Sequence, residues 1–241
     1  MHKILLLLTL LCTLGLSGCA AVDEYFLPPP EDTVQEIFEA GNDAMRDKNY
    51  VAAEKYYTRI KEEFPFSPYA VESELALADA YFLDGEYPEA AEAYRDFETL
   101  HPRHDAIPYV LYQLGMSLKN SYTSIDHEGK EVQEALNIFT RVNQEFAGTE
   151  YAAKAAEQMA ACRKTIAQHE LFVANVFWGM ENYEAAWHRY EYVARSFADV
   201  KEEAEIARKR GEASYLKYRK QAATGVRERQ QGTWKDWFRW L

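Results

Sequence analysis

The longest regular hydrophobic pattern in the chain lies between Thr149 and Gly179. Ala152, Ala155, Ala156, Met159, Ile166, Leu171, Val173, Ala174 and Phe177 keep helical spacing there, and no Pro or Gly intervenes before the end. One long helix is predicted. Upstream, the pattern repeats itself: Tyr50, Ala53, Tyr57 and Pro65 return 37 residues later as Tyr87, Ala90, Tyr94 and Pro102. The segment from Asn49 to Tyr57 parallels Glu86 to Tyr94, and Asn182 to Tyr190 is a further copy. Small residues at Gly41, Ala53, Ala78, Ala90, Gly115, Ala135 and Ala186 allow paired helices to approach closely, with Tyr or Phe filling the space beside them. Proline is expected to close each second helix.

Helical hairpins of this kind resemble tetratricopeptide repeats. A third hairpin begins at Tyr109 to Leu118, since Gly115 follows Ala78 by 37, but its second helix, Val132 to Phe146, comes late. Ala135 follows Ala90 by 45, so eight extra residues fall in the polar stretch Lys119 to Lys130, read here as a protruding loop. Tyr183 to Phe197 and Val200 to Tyr218 supply the last helices. The expectation is an all-α, right-handed solenoid of about five hairpins over residues 33–220, with its inner groove as the binding face.

Composition agrees with helices. Gly (11) and Pro (8) are scarce among 241 residues, and 48% of the chain is hydrophobic. The 39 acidic side chains outnumber the 27 basic ones, giving a net charge of −12. Nucleic acid is a poor partner for such a chain, because phosphate binding needs clustered Lys and Arg, and these are diluted by Glu and Asp until the last twenty or so positions.

The N-terminus carries an address. Lys3 precedes an apolar run from Ile4 to Leu16, and Leu16-Ser17-Gly18-Cys19 follows, a pattern that resembles the lipobox of bacterial lipoproteins. Thirteen apolar residues are short for a bilayer span of about 20. Residues 1–18 therefore read as a signal peptide, Cys19 as the lipidated first residue, and residues 19–32, with Pro28-Pro29-Pro30, as a semi-rigid tether. Ala20 resembles the signal for outer-membrane sorting. With Cys12 in the leader and Cys19 acylated, Cys162 is the one thiol left, and a disulfide within the chain or a Cys-based zinc site is excluded.

Catalytic signatures are missing. His169-Glu170 starts like a metalloprotease helix, but Val173 stands where the second His belongs. No phosphate-cradling Gly loop and no nucleophile elbow occurs. Neither an enzyme, a metal site nor a cofactor is expected.

Two joining segments are more specific: Phe64-Pro65-Phe66-Ser67-Pro68-Tyr69, and the run from Leu100 to Gly115 that begins Leu-His-Pro-Arg-His-Asp. With the lipobox, the late helix of the third hairpin, Tyr151 and Glu170-Leu171-Phe172-Val173-Ala174, they resemble the BamD (YfiO, ComL) family of the β-barrel assembly machinery. The resemblance covers roughly residues 33 to 200. It implies a non-enzymatic lipoprotein, anchored to the outer membrane and facing the periplasm. Such a protein docks its C-terminal repeats on the periplasmic domain of a BamA-like barrel and recognises C-terminal strands of unfolded outer-membrane proteins with its N-terminal repeats. Carried onto this sequence, Phe64, Phe66 and Tyr69 lie by the substrate site, with Phe64 nearest the groove. The other reading is a different envelope scaffold, such as a secretin pilotin or a peptidoglycan-linked protein.

Two features depart from the family's pattern. The Lys119 to Lys130 loop lacks the acidic and aromatic insertion of many relatives, which weakens the case for accessory Bam lipoproteins as partners there. Residues 221–241 place Trp234, Trp237, Phe238 and Trp240 among Arg227, Arg229, Lys235 and Arg239, with apolar positions 234, 237, 238 and 241 on one helical face. A membrane-surface helix, a helix docked on a partner and a cap on the last repeat all remain open for this tail.

Overall fold

The computed structural model describes residues 33–127 and 129–231, and among them every regular element is an α-helix. The described chain divides into two compact units, the first ending at Ser73 and the second starting at Glu74.

The first unit is a hairpin of α1 (Val34–Arg46) and α2 (Tyr50–Glu63), followed by the opening residues of α3 (Ala70–Asp84). Thr33 starts α1 with a capping box: its Oγ1 accepts from the Glu36 N–H, and the Glu36 carboxylate accepts from the Thr33 N–H. Asn49 starts α2 by accepting from the Ala52 N–H at 3.3 Å. Ile37, Gly41 and Ala44 face Ala53, Tyr57 and Ile60 across the hairpin. Glycine is required at 41, because a Cβ there would stand 2.7 Å from the Tyr57 ring.

The second unit continues α3 and adds α4 (Tyr87–Leu100), α5 (Ile107–Ser121), α6 (Lys130–Glu145), α7 (Glu150–Gly179), α8 (Tyr183–Ser196) and α9 (Lys201–Gln231). From α4 onward each helix packs on the next, and α7 also touches α5 and α9, the stacking of tetratricopeptide-like hairpins. Among the described residues the helices form four hairpins and a last long helix, in keeping with the solenoid of about five hairpins that the sequence pattern predicts.

The repeat is visible atom by atom. Ala53, Ala90, Ala135 and Ala186 are all fully buried. So are Tyr57, Tyr94, Phe139 and Tyr190, and the three tyrosines each donate to an Asn or Asp fifteen residues upstream: Asn42 at 2.9 Å, Asp79 at 2.5 Å and Asn175 at 2.6 Å. The third hairpin drops both halves of that pair together, with Phe139 and Met116 in the equivalent places. Here Gly115 makes the room, since a Cβ would lie 2.6 Å from the Phe139 ring.

The structure departs from the sequence reading at three points. The loop of the third hairpin spans residues 122–129 rather than 119–130, and His169 Nδ1 on α7 bonds the Ile125 carbonyl at 2.7 Å, so the loop is tied to the unit at that point. Proline does not close every second helix: after Phe146 and Phe197 the same turn forms without it. And α9 does not stop near Tyr218 but runs through residue 220 to Gln231, carrying Gly225 in its interior.

Candidate functional site

Each second helix ends in the same way. Phe64, His101, Phe146 and Phe197 are the C-cap residues of α2, α4, α6 and α8, and each donates its N–H to the carbonyl four residues back. A hydrogen-bonded turn follows at once, closed by Ser67 N–H to Phe64 O, His104 to His101, Thr149 to Phe146 and Val200 to Phe197, all between 2.9 and 3.1 Å. Pro65 and Pro102 occupy the second position of their turns, where a fixed φ is favourable. A second turn, Ala70 N–H to Ser67 O at 3.1 Å with Pro68 in the same position, carries the chain from the first joint into α3.

This register separates the three aromatics expected at the joint. Phe64 is half-buried and stands at the C-cap position that Phe146 and Phe197 take in their own repeats. Tyr69 is half-buried too and lies against Phe38 of α1, ring centroids 5.1 Å apart. Phe66 is different: it is 99% exposed, and the equivalent turn positions hold Arg103, Gly148 and Asp199. No packing demand explains a Phe there. Beside it, the Ser67 hydroxyl oxygen is buried with no hydrogen-bond partner.

The second unit holds an aromatic cluster that the sequence reading did not single out. Asp79 Oδ1 accepts from both Tyr94 at 2.5 Å and Tyr109 at 2.6 Å. Tyr109 and Tyr112 of α5 in turn meet Tyr151 of α7, with centroids 5.8 and 5.9 Å apart. Burial raises the Asp79 carboxyl above its ordinary value, and the two tyrosine hydroxyls oppose that rise. Burial and the neighbouring carboxylate push both tyrosines upward as well. The signal available in the sequence was an Asn or Asp fifteen residues before a repeat Tyr.

No group of three His, Cys, Asp or Glu side chains among the described residues is placed to hold a metal ion. Cys162 is fully buried and its thiol is pushed up to about 11 by desolvation, which suits a core residue and not a nucleophile. Among the described residues no helix is long and apolar enough to cross a membrane. Cys19, Trp234, Trp237, Phe238 and Trp240 lie outside the described residues.

A family model named YfiO and described as an outer membrane lipoprotein matches residues 30–230. This chain belongs to the YfiO family. Curated relatives agree over most of its length. A protein of Neisseria meningitidis is 30% identical over 214 residues, covering 83% of this chain and 79% of the relative. One from Xylella fastidiosa is 26% identical over 174 residues, 68% of this chain and 60% of the relative. One from Vibrio cholerae is 22% identical over 224 residues, 89% and 90% of the two chains. All three are named outer membrane protein assembly factor BamD, the name of an assembly component and not of an enzyme. The YfiO match contains the Phe64 to Tyr69 joint and nearly all of α9, and it ends before Trp234.

Proposed function

We propose that this YfiO-family chain is a non-enzymatic component of the machinery that assembles β-barrels in the outer membrane. It is held by a lipid on Cys19, faces the periplasm, scaffolds on the periplasmic domain of a BamA-like barrel, and recognises C-terminal strands of unfolded barrel proteins. The family match over residues 30–230 supports the assembly role. The observation that carries substrate recognition is the ring of Phe66, fully exposed at a turn whose equivalents need no aromatic.

The chemistry fits the substrate. A barrel's terminal strand alternates apolar and polar side chains, and its backbone groups are unpaired before assembly. An exposed ring offers such a strand an aromatic face without a deep pocket, and turn geometry holds that ring away from the repeat's own core. Phe66 takes the leading place in this reading, with Phe64 and Tyr69 shaping the surface beside it.

The test is a photoreactive peptide copying the C-terminal strand of an outer-membrane protein. It is expected to crosslink within residues 64–69, and Phe66→Ser should weaken crosslinking at least fivefold with helicity unchanged. Equal crosslinking by a scrambled peptide, or capture confined to α7–α9, would move the weight to a general envelope scaffold of the pilotin kind. Co-purification of a BamA-like barrel after detergent extraction tests the scaffolding half.

A further inference from the structure

Several basic side chains in the body of the second unit are held by carboxylates: Arg95 by Glu134 at 2.8 Å, Arg141 by Glu98 at 2.5 Å, Arg163 by Asp199 at 2.5 Å. Along the second half of α9 this pairing stops. Lys217, Arg219, Lys220 and Arg227 form no ion pair with a described carboxylate. Among the described residues Ser214 is the last buried one, and the helix continues beyond it to Gln231, about 25 Å at 1.5 Å per residue.

The two sides of this extension differ. One side leans on the body: Lys217 Nζ lies 4.8 Å from the ring centroids of both Trp178 and Tyr183, and Gln221 Nε2 donates to the Glu181 carbonyl at 3.3 Å. The other side carries Leu216, Arg219, Ala223, Val226 and Arg227, with Lys220 at its edge beside Lys217 and Tyr183; all six are exposed, and at 100° per residue they fall in one sector of about 120°. Leu216 is 63% and Val226 44% exposed. Arg219 donates to the Tyr215 hydroxyl at 2.9 Å, and none of the three cations meets a described carboxylate. A helix face that alternates exposed aliphatic and cationic side chains in this way suits a surface that is apolar beneath and anionic above.

Sequence extends the same chemistry. Residues 215–241 hold seven Lys and Arg against two acidic residues in a chain whose net charge is −12, and the last ten positions add three Trp and one Phe. Aromatic side chains with a polar edge and Lys or Arg beside them are the residues enriched at the boundary of a bilayer. Membership in a family of outer membrane lipoproteins puts a bilayer within reach of the chain. The family match ends at residue 230, so this aromatic segment is a property of the chain beyond that match.

We infer that the C-terminal face of α9, from Leu216 onward, together with the aromatic residues that follow it in sequence, binds the surface of an anionic phospholipid bilayer. It is a second membrane contact, independent of any acyl chain. The inference does not depend on substrate recognition at Phe66, and either can fail alone.

The experiment uses the chain from Ala20 to Leu241, which keeps every described residue and omits the leader and the lipid-bearing Cys19. Vesicles of phosphatidylglycerol with phosphatidylethanolamine are compared with vesicles of phosphatidylcholine, by co-sedimentation and by Trp fluorescence. Binding to the anionic vesicles and a blue shift are expected, both fading as salt is raised. Each cation near an anionic surface is worth roughly a fivefold change, so the triple variant Arg219→Glu, Lys220→Glu, Arg227→Glu, which reverses three charges, should lose at least on the order of 100-fold in affinity. These positions are exposed, and unchanged far-ultraviolet helicity verifies the variant; Trp234→Ala with Trp237→Ala gives an independent loss. Equal partition to both vesicle types, full affinity in the charge-reversed variant, or binding to a BamA-like periplasmic domain with none to vesicles would each overturn the inference.

Discussion

Tyr94 donates its hydroxyl to Asp79 at 2.5 Å across the second hairpin, fifteen residues apart in sequence, as Tyr57 stands to Asn42 and Tyr190 to Asn175. Two of the three acceptors are neutral amides. The carboxylate at Asp79 is the exception, and it also receives Tyr109.

That exception has a pH signature. Burial holds the folded-state pKa of Asp79 above 3.8, so the folded protein binds more protons than the unfolded chain between 3.8 and that raised value. Stability contributed by this group is therefore present at low pH and falls as pH rises through that window. Asp79→Asn keeps an oxygen acceptor for both tyrosines and removes the buried charge. The variant is expected to be at least as stable as wild type at pH 7 and to lose that advantage near pH 4, as read by urea unfolding at the two pH values.

Gly115 and Phe139 make the opposite kind of contact, steric instead of polar. A methyl group at the buried Gly115 would fall 2.6 Å from the fully buried Phe139 ring, so Gly115→Ala should cost about 1–3 kcal/mol. Shortening the ring should restore much of that loss: Gly115→Ala with Phe139→Leu is expected to be more stable than the sum of the two single changes. A double-mutant cycle by chemical denaturation measures this.

Much of this architecture was legible before any coordinates. The 37-residue offset located Ala53 and Ala90, Tyr57 and Tyr94, and these pairs are the buried contacts of the first two hairpins. The uninterrupted apolar spacing from Thr149 to Gly179 gave the 30-residue α7. The joint was less readable because its register runs through the insertion: Phe64 and His101 are 37 apart, but Phe146 follows at 45 and Phe197 at 51. The 37-residue offset aligned Phe66 with Arg103, but without the turn hydrogen bonds nothing aligned it with Gly148 and Asp199, and the family resemblance put Phe64 foremost. The Asn and Asp partners of the repeat tyrosines went unread for another reason, since a polar residue in a helical pattern is ordinarily taken as solvent-facing. Beyond Tyr218 the shift to basic residues resembled a boundary, yet α9 continues through it.

The joint aromatics should separate in a stability measurement. Phe64→Ala removes a half-buried C-cap ring and is expected to cost about 1–2 kcal/mol, less than a full core truncation. Phe66→Ala should stay within about 0.5 kcal/mol of wild type, the range of ordinary surface changes. Thermal unfolding of the two variants side by side checks this, and a large loss at Phe66 would assign its ring a packing role.

Lipidation makes a chemical prediction. Protein extracted from membranes should carry acyl mass on an N-terminal peptide that begins at Cys19, and Cys19→Ser should abolish that modification. Intact-mass and peptide mass spectrometry read both. Wild-type protein with an unmodified Cys19 would remove the proposed anchor.

The length of α7 has a mechanical meaning. At 30 residues it is a rod of about 45 Å, and it packs on α5 and α6 as well as on α8 and α9. Hairpins in an ordinary repeat array can flex at each joint, but those on either side of α7 share one stiff member. The clasp from His169 to Ile125 fastens the loop of the third hairpin to that same rod. A load taken up at this loop is thus borne by the helix that also braces α9, and amide exchange should report α5 to α8 as a single cooperative body that opens together.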